Sequence, residues 1–173
     1  MCVTLPAWRH MRERGYGRIV NTSSNTGLFG NLGQAAYGAA KMGLVGLTRV
    51  LALEGSRYGI TVNAVAPMAR TRMTEDLLGR LADRLDPALV SPVVAFLAHE
   101  ECAVTGEVMS CGGGRVARVF VGVTPGWFDE ALSPESVRDR WDAIQDEAGY
   151  AVPHSVSEEL ALLKAHLRVA SGA

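Results

Sequence analysis

Apolar residues recur at helical spacing from the start of the chain. Val3, Leu5, Trp8 and Met11 alternate with Arg9, Arg12, Glu13 and Arg14, which predicts the end of an amphipathic helix over residues 3–14. Pro6 fits such a helix only near its first turn. Gly15-Tyr16-Gly17 ends it, and Arg18 to Thr22, centred on Ile19 and Val20, predicts a short strand. Residues 23–35 carry turn chemistry at Gly27, Gly30, Asn31 and Gly33 and read as loop. The strongest helical pattern runs from Ala36 to about Ser56. Leu44, Leu47, Val50, Leu51 and Leu53 predict a broad apolar face, while Ala39, Ala40, Gly43 and Gly46 leave another face thin enough for a close neighbour. Tyr58-Gly59 closes this helix, and Ile60 to Val65 predicts a second strand ending at Pro67.

Residues 68–90 read as loop and short helix. A helix is expected from Ala88 to His99, opened by Asp86-Pro87 as a capped start. Glu107 to Ser110 predicts a third strand leading into Gly112-Gly113-Gly114, and the apolar run Val116 to Val123 an added edge strand. Thr124-Pro125-Gly126 is a turn. Ser133 as N-cap and Pro134 at the first helical position predict a charged helix through about Glu147, and Ser157 to about Val169 a last one. Helix alternates with strand up to residue 115, the pattern of a doubly wound parallel sheet.

Composition narrows the function class. A hydrophobic content of 48% over 173 residues supports a packed α/β core. The balance of 17 Lys+Arg against 18 Asp+Glu excludes nucleic acid and anionic membrane as expected partners. Cys2, Cys102 and Cys111 are odd in number and lack CxxC spacing, so they read as free thiols in a reducing compartment. No apolar run reaches transmembrane length and no signal-peptide pattern is present, so the expected location is cytoplasmic. The four histidines are scattered, and no metal site is expected.

The chemistry concentrates in Ser24, Tyr37 and Lys41. A phenol is a poor base near neutral pH unless a cation stabilises its anion. Lys41, four residues along the same helix, lies one turn away on the same face as Tyr37. Ser24, in the preceding loop, can hydrogen-bond a substrate carbonyl beside the phenol. Bland roles compete with these: a turn hydroxyl for Ser24, a packed aromatic for Tyr37, a solvated cation for Lys41. Gly27, Gly30 and Gly33 have the spacing GxxGxxG, but the helix starts well after the third glycine, so they read as loop geometry.

Residues 1–115 resemble the C-terminal part of a short-chain dehydrogenase/reductase. The resemblance rests on Gly17-Arg18-Ile19-Val20-Asn21-Thr22-Ser23-Ser24, on Gly33-Gln34-Ala35-Ala36-Tyr37-Gly38-Ala39-Ala40-Lys41 and on Val62-Asn63-Ala64-Val65-Ala66-Pro67. Thr71-Arg72-Met73-Thr74, Thr105-Gly106-Glu107 and Gly112-Gly113-Gly114 continue it. It implies a hydride transfer between NAD(H) or NADP(H) and a carbonyl or secondary alcohol. Tyr37 is then the acid or base, Lys41 stabilises its anion and binds the nicotinamide ribose, and Ser24 polarises the carbonyl. Pro67 and Thr71 are implied to lie along the cofactor. Phe29-Gly30-Asn31, Gly33-Gln34-Ala35 and Ala69 to Thr74 look most like the 3-hydroxyacyl-CoA dehydrogenase domain of multifunctional enzymes. The family also implies a homo-oligomer formed through the 36–56 helix.

The sequence departs from this family in one large respect. It holds no TGxxxGxG turn, no residue that selects between NAD and NADP, and no Asn-Ala-Gly segment. The expected fold is therefore the C-terminal part of a doubly wound, Rossmann-type domain whose N-terminal half, roughly 110 residues, is absent. Weak or absent cofactor binding follows as an alternative, and the strand at 18–22 becomes an exposed apolar edge. Met68 stands where the family usually has glycine. Residues 116–173 form a mainly helical C-terminal extension, either packed for stability or covering a substrate mouth or subunit contact with Trp127, Phe128 and Trp141. Two rival readings stay open: a non-catalytic oligomerisation remnant, and one half of a two-chain enzyme.

Overall fold

The computed structural model describes residues 2–72, 74 and 79–167. Contacts divide the chain into two compact units, residues 1–119 and 120–173.

The first unit is built on a four-stranded sheet of order β1-β2-β3-β4, comprising β1 (Gly17–Thr22), β2 (Ile60–Pro67), β3 (Val108–Gly112) and β4 (Arg115–Val119). β1, β2 and β3 are parallel and β4 returns antiparallel. The β3–β4 turn is Gly113-Gly114, with φ of 58° and 84°, the paired positive values that a two-residue hairpin needs. The third strand therefore runs to Gly112, beyond the Ser110 that sequence pattern suggests. Among the described residues β1 is an edge strand, with only Gly17 fully buried.

Helices cover both faces of the sheet. α1 (Thr4–Arg14) ends at Gly15, whose φ of 63° forms the left-handed cap; Pro6 falls in its first turn. Trp8 and Met11 of α1 pack with Ala52, Ile60 and Val62, while Val3 and Leu5 stay exposed. α2 (Asn25–Phe29) is a short helix in the segment expected to be loop. α3 (Ala35–Gly55) crosses the same face as α1. Its fully buried stripe is Val45, Thr48, Ala52 and Gly55; of the apolar face that periodicity suggests, Leu44, Leu47 and Leu51 are half-buried and Val50 and Leu53 are exposed. Close approach is the reason: a Cβ on Gly55 would lie 2.8 Å from the Ile60 carbonyl oxygen and 3.2 Å from the Trp8 ring.

α4 (Ser91–Ala98) packs Leu97 against Val65, Cys102 and Cys111. The helix expected from Ala88 is split. Pro92 has no N–H and crowds the preceding turn, so a 3-10 turn, Pro87–Leu89, precedes a fresh helix start at Ser91. Asp86 caps that turn by accepting from the Ala88 N–H at 2.8 Å.

In the second unit Val123 bridges Ala151, and Phe120 stacks on Tyr150 at 5.6 Å. α5 (Pro134–Asp139) begins with a reciprocal Ser133/Ser136 capping box. It breaks at Arg140, whose guanidinium lies 5.7 Å over the Trp127 ring, and α6 (Trp141–Gln145) follows. α7 (Val156–Leu167) is the last described helix; its expected end at Val169, like Met73 in the earlier motif, lies outside the described residues.

Candidate active site

Parallel pairing of β1 with β2 brings their carboxyl ends to one edge, the place where open α/β sheets bind ligands. Thr22 pairs with Val65, and the Ser23 N–H donates to the Val65 carbonyl at 2.7 Å. Ser24 leaves β1 at this edge and Pro67 ends β2 there. The first two turns of α3 carry Tyr37 and Lys41.

Two hydrogen bonds tie Lys41 to the end of β1. Its Nζ donates to the Thr22 carbonyl at 2.9 Å, and its own carbonyl accepts from the buried Ser23 Oγ at 2.8 Å. The ammonium stands 5.7 Å from the centroid of the Tyr37 ring, at cation–π range. Tyr37 is 46% exposed, so its phenol is accessible to a ligand. Ser24 is extended (φ −158°, ψ 150°) and caps α2: its Oγ accepts from the Thr26 N–H at 3.2 Å. Because the hydroxyl accepts there, its hydrogen remains available to a substrate oxygen.

The loop between Ser24 and Tyr37 is held by Gln34. Its Oε1 accepts from Thr26 Oγ1 and from Asn31 Nδ2, each at 3.0 Å. Beyond β2, the Met68 N–H donates to the Cys111 carbonyl at 2.7 Å, so the segment after Pro67 is pinned to β3. Gly112 makes room for Met68: a Cβ on Gly112 would clash with the Met68 carbonyl oxygen and lie 2.9 Å from its Cβ. Thr71 and Thr74 form a local knot. The Thr71 N–H donates to Thr74 Oγ1 at 2.9 Å, and Thr74 Oγ1 donates to the Ala69 carbonyl at 2.8 Å.

The fold thus places Ser24, Tyr37, Lys41 and Pro67 at the carboxyl ends of β1 and β2, with Thr71 on the segment that follows. Sequence reasoning missed the Thr22 carbonyl, which anchors Lys41, because a backbone acceptor leaves no mark in residue type. It also missed Thr26, Asn31 and Gln34 as one network; the polar density of residues 25–34 was the available signal. The cap role of Ser24 went unread as well, because α2 was taken for loop.

Residues 1–80 match the family model for short chain dehydrogenase. A short-chain type dehydrogenase/reductase of Mycobacterium tuberculosis is 51% identical over 145 residues, covering 83% of this chain and 51% of that protein. Peroxisomal multifunctional enzyme type 2 of Mus musculus is 40% identical over 161 residues, 90% of this chain and 22% of that protein. The solved structure of full-length peroxisomal multifunctional enzyme type 2 from Drosophila melanogaster superposes with a TM-score of 0.84 at 32% identity, covering 98% of this chain and 32% of that one. The chain spans about half the length of the first of these relatives and about a fifth of the second.

Proposed function

The chain belongs to the short-chain dehydrogenase/reductase family, and on that premise we propose that it serves as an NAD(P)-linked oxidoreductase for a carbonyl/secondary-alcohol pair. The cofactor, when bound, carries the hydride; this chain's residues bind, orient and move the proton. Tyr37 gives its phenolic proton to the oxygen as a carbonyl becomes an alcohol, and accepts it in the reverse direction. Lys41 holds a positive charge beside the ring and stabilises the phenolate. Ser24 donates its hydroxyl hydrogen to the same substrate oxygen and steadies its developing charge. The observation that carries this reading is Lys41, fixed on Thr22 and facing the Tyr37 ring.

The residues present fit the nicotinamide-ribose end of such a cofactor. Binding to Thr22 occupies one of the three ammonium donors of Lys41, which leaves two for ribose hydroxyls. Pro67 and Thr71 stand on the segment that would run along it. For the substrate we favour a 3-hydroxyacyl-CoA-like thioester, since the most similar relatives include peroxisomal multifunctional enzymes. Phe29 at the end of α2 and Leu32 in the turn that follows, 70% and 99% exposed, offer an apolar rim suited to an acyl chain.

We also read α3 as a homo-oligomer contact. Ala39, Gly43, Gly46, Val50 and Leu53 are all exposed and follow a spacing of four and three, which makes one stripe with a thin end and an apolar end. The test of the enzymatic reading is titration of the purified chain with NADH and NADPH, followed by turnover on a panel of hydroxyacyl-CoA thioesters and simple secondary alcohols. Saturable binding with thioester-selective turnover supports it. Binding of neither nucleotide and no turnover would leave a non-catalytic oligomerisation remnant or one half of a two-chain enzyme.

A further inference from the structure

Gly27, Gly30 and Gly33 share a spacing but not a task. Gly30 and Gly33 adopt φ of 82° and 77° in open space, so each supplies a turn. Gly27 lies inside α2 with no such need. A Cβ built on it would sit 2.8 Å from Lys41 Cβ, 2.8 Å from the Met42 nitrogen and 2.9 Å from the Lys41 carbonyl carbon. Two of those atoms are backbone and cannot swing aside.

α2 therefore touches α3 at the turn that carries Lys41. Ser24 caps α2 three residues earlier, so the depth at which α2 seats on α3 sets where the serine hydroxyl stands relative to the phenol and the ammonium. The bonds from Ser23 Oγ to the Lys41 carbonyl and from Lys41 Nζ to the Thr22 carbonyl close the same seam from the strand side. An ordinary Cβ contact begins near 3.4 Å, so any side chain at residue 27 forces α2 back by roughly 0.6 Å or more.

We propose that Gly27 is a positioning residue: its missing side chain seats α2 against Lys41 and fixes the spacing of Ser24 from Tyr37 and Lys41. This rests on the reading of those three residues as the reacting set. A displacement approaching 1 Å in such a set costs about 100-fold in rate.

The test compares Gly27→Ala with Glu54→Ala, an exposed position of α3 outside both the candidate site and the small-residue stripe, in the full chain. Each variant is measured for melting temperature, for kcat and KM, and for the NMR shifts of labelled Tyr37 Cζ and Lys41 Nζ. The expected result is an approximately 100-fold fall in kcat for Gly27→Ala alone, KM within about threefold, and displaced Tyr37 and Lys41 signals. Equal kcat values for the two variants, or Tyr37 and Lys41 signals that stay in place, overturn the proposal. If the unsubstituted chain does not turn over, the enzymatic reading fails separately and the labelled signals alone decide the positioning claim. If Gly27→Ala does not fold, Ser23→Ala, which loosens the same seam without adding volume, has to move those signals; if they do not move, the proposal is overturned.

Discussion

Asn63 is fully buried in the central strand, and its amide makes two hydrogen bonds that stitch the loop before β3 onto β2. Nδ2 donates to the Val104 carbonyl at 2.7 Å, and Oδ1 accepts from the Glu107 N–H at 3.1 Å. Neighbouring bonds serve the same seam: the Gly106 N–H donates to the Val62 carbonyl, and the Val62 N–H donates to Thr105 Oγ1. Asn63→Ala removes both bonds and leaves one backbone carbonyl and one N–H without those partners in a part-buried seam. Each such group costs about 1–3 kcal/mol, so the loss is about 2–6 kcal/mol before the small cavity is counted. A domain of this size has only about 5–15 kcal/mol in total. Urea unfolding followed by far-UV circular dichroism measures it, with an unchanged slope showing that the same surface is exposed. Asn63→Asp should be similarly destabilised at neutral pH, because an oxygen then faces the Val104 carbonyl. It should recover in part on acidification, when a protonated carboxyl donates again. A loss below about 1 kcal/mol for Asn63→Ala would refute the claim that this side chain holds β3 and its glycines in register.

Other outcomes follow from the same geometry. Thr48 is fully buried and accepts from Asn21 Nδ2 at 2.9 Å, so Thr48→Val leaves that donor unpaired and should cost about 1–3 kcal/mol in the same unfolding assay. Burial raises the pKa of the Cys111 thiol. The unfolded chain then loses this proton first, so stability should fall as pH rises above about 8.5, by up to 1.4 kcal/mol per unit from this one group, and Cys111→Ala should flatten that slope. Thiol reagents should modify exposed Cys2 rapidly and buried Cys111 only after unfolding. Gly46→Arg places a long charged chain on the small-residue stripe of α3 and should yield monomers by light scattering if that stripe is a subunit contact.

The legible part of the fold was the part set by local pattern. The Ser133-Pro134 helix start is present as expected, and Gly113-Gly114 makes the turn that closes the sheet edge. The misread parts depend on tertiary contact. The α3 face was assigned to leucines by hydrophobicity, but the fully buried stripe is Val45, Thr48, Ala52 and Gly55, with Leu51 only partly buried beside it, because the helix approaches Ile60 closely at Gly55. α2 was read as loop because five residues containing a glycine carry little helical signal; its Ser24 cap and its seat on Lys41 hold it. At the candidate site, residue type and spacing announced Tyr37 and Lys41. The anchoring of Lys41 on the Thr22 carbonyl exists only once β1 and α3 are side by side.

The most direct test of the central claim is the rate of nicotinamide reduction by the full chain and its Tyr37→Phe variant, on a 3-hydroxyacyl-CoA thioester at neutral pH. The account predicts measurable turnover, and a loss of about 100- to 10,000-fold on removing the phenolic oxygen, with the melting temperature unchanged because Tyr37 is half-exposed. Equal rates for the two proteins would contradict it, since the proton would then pass through some other group.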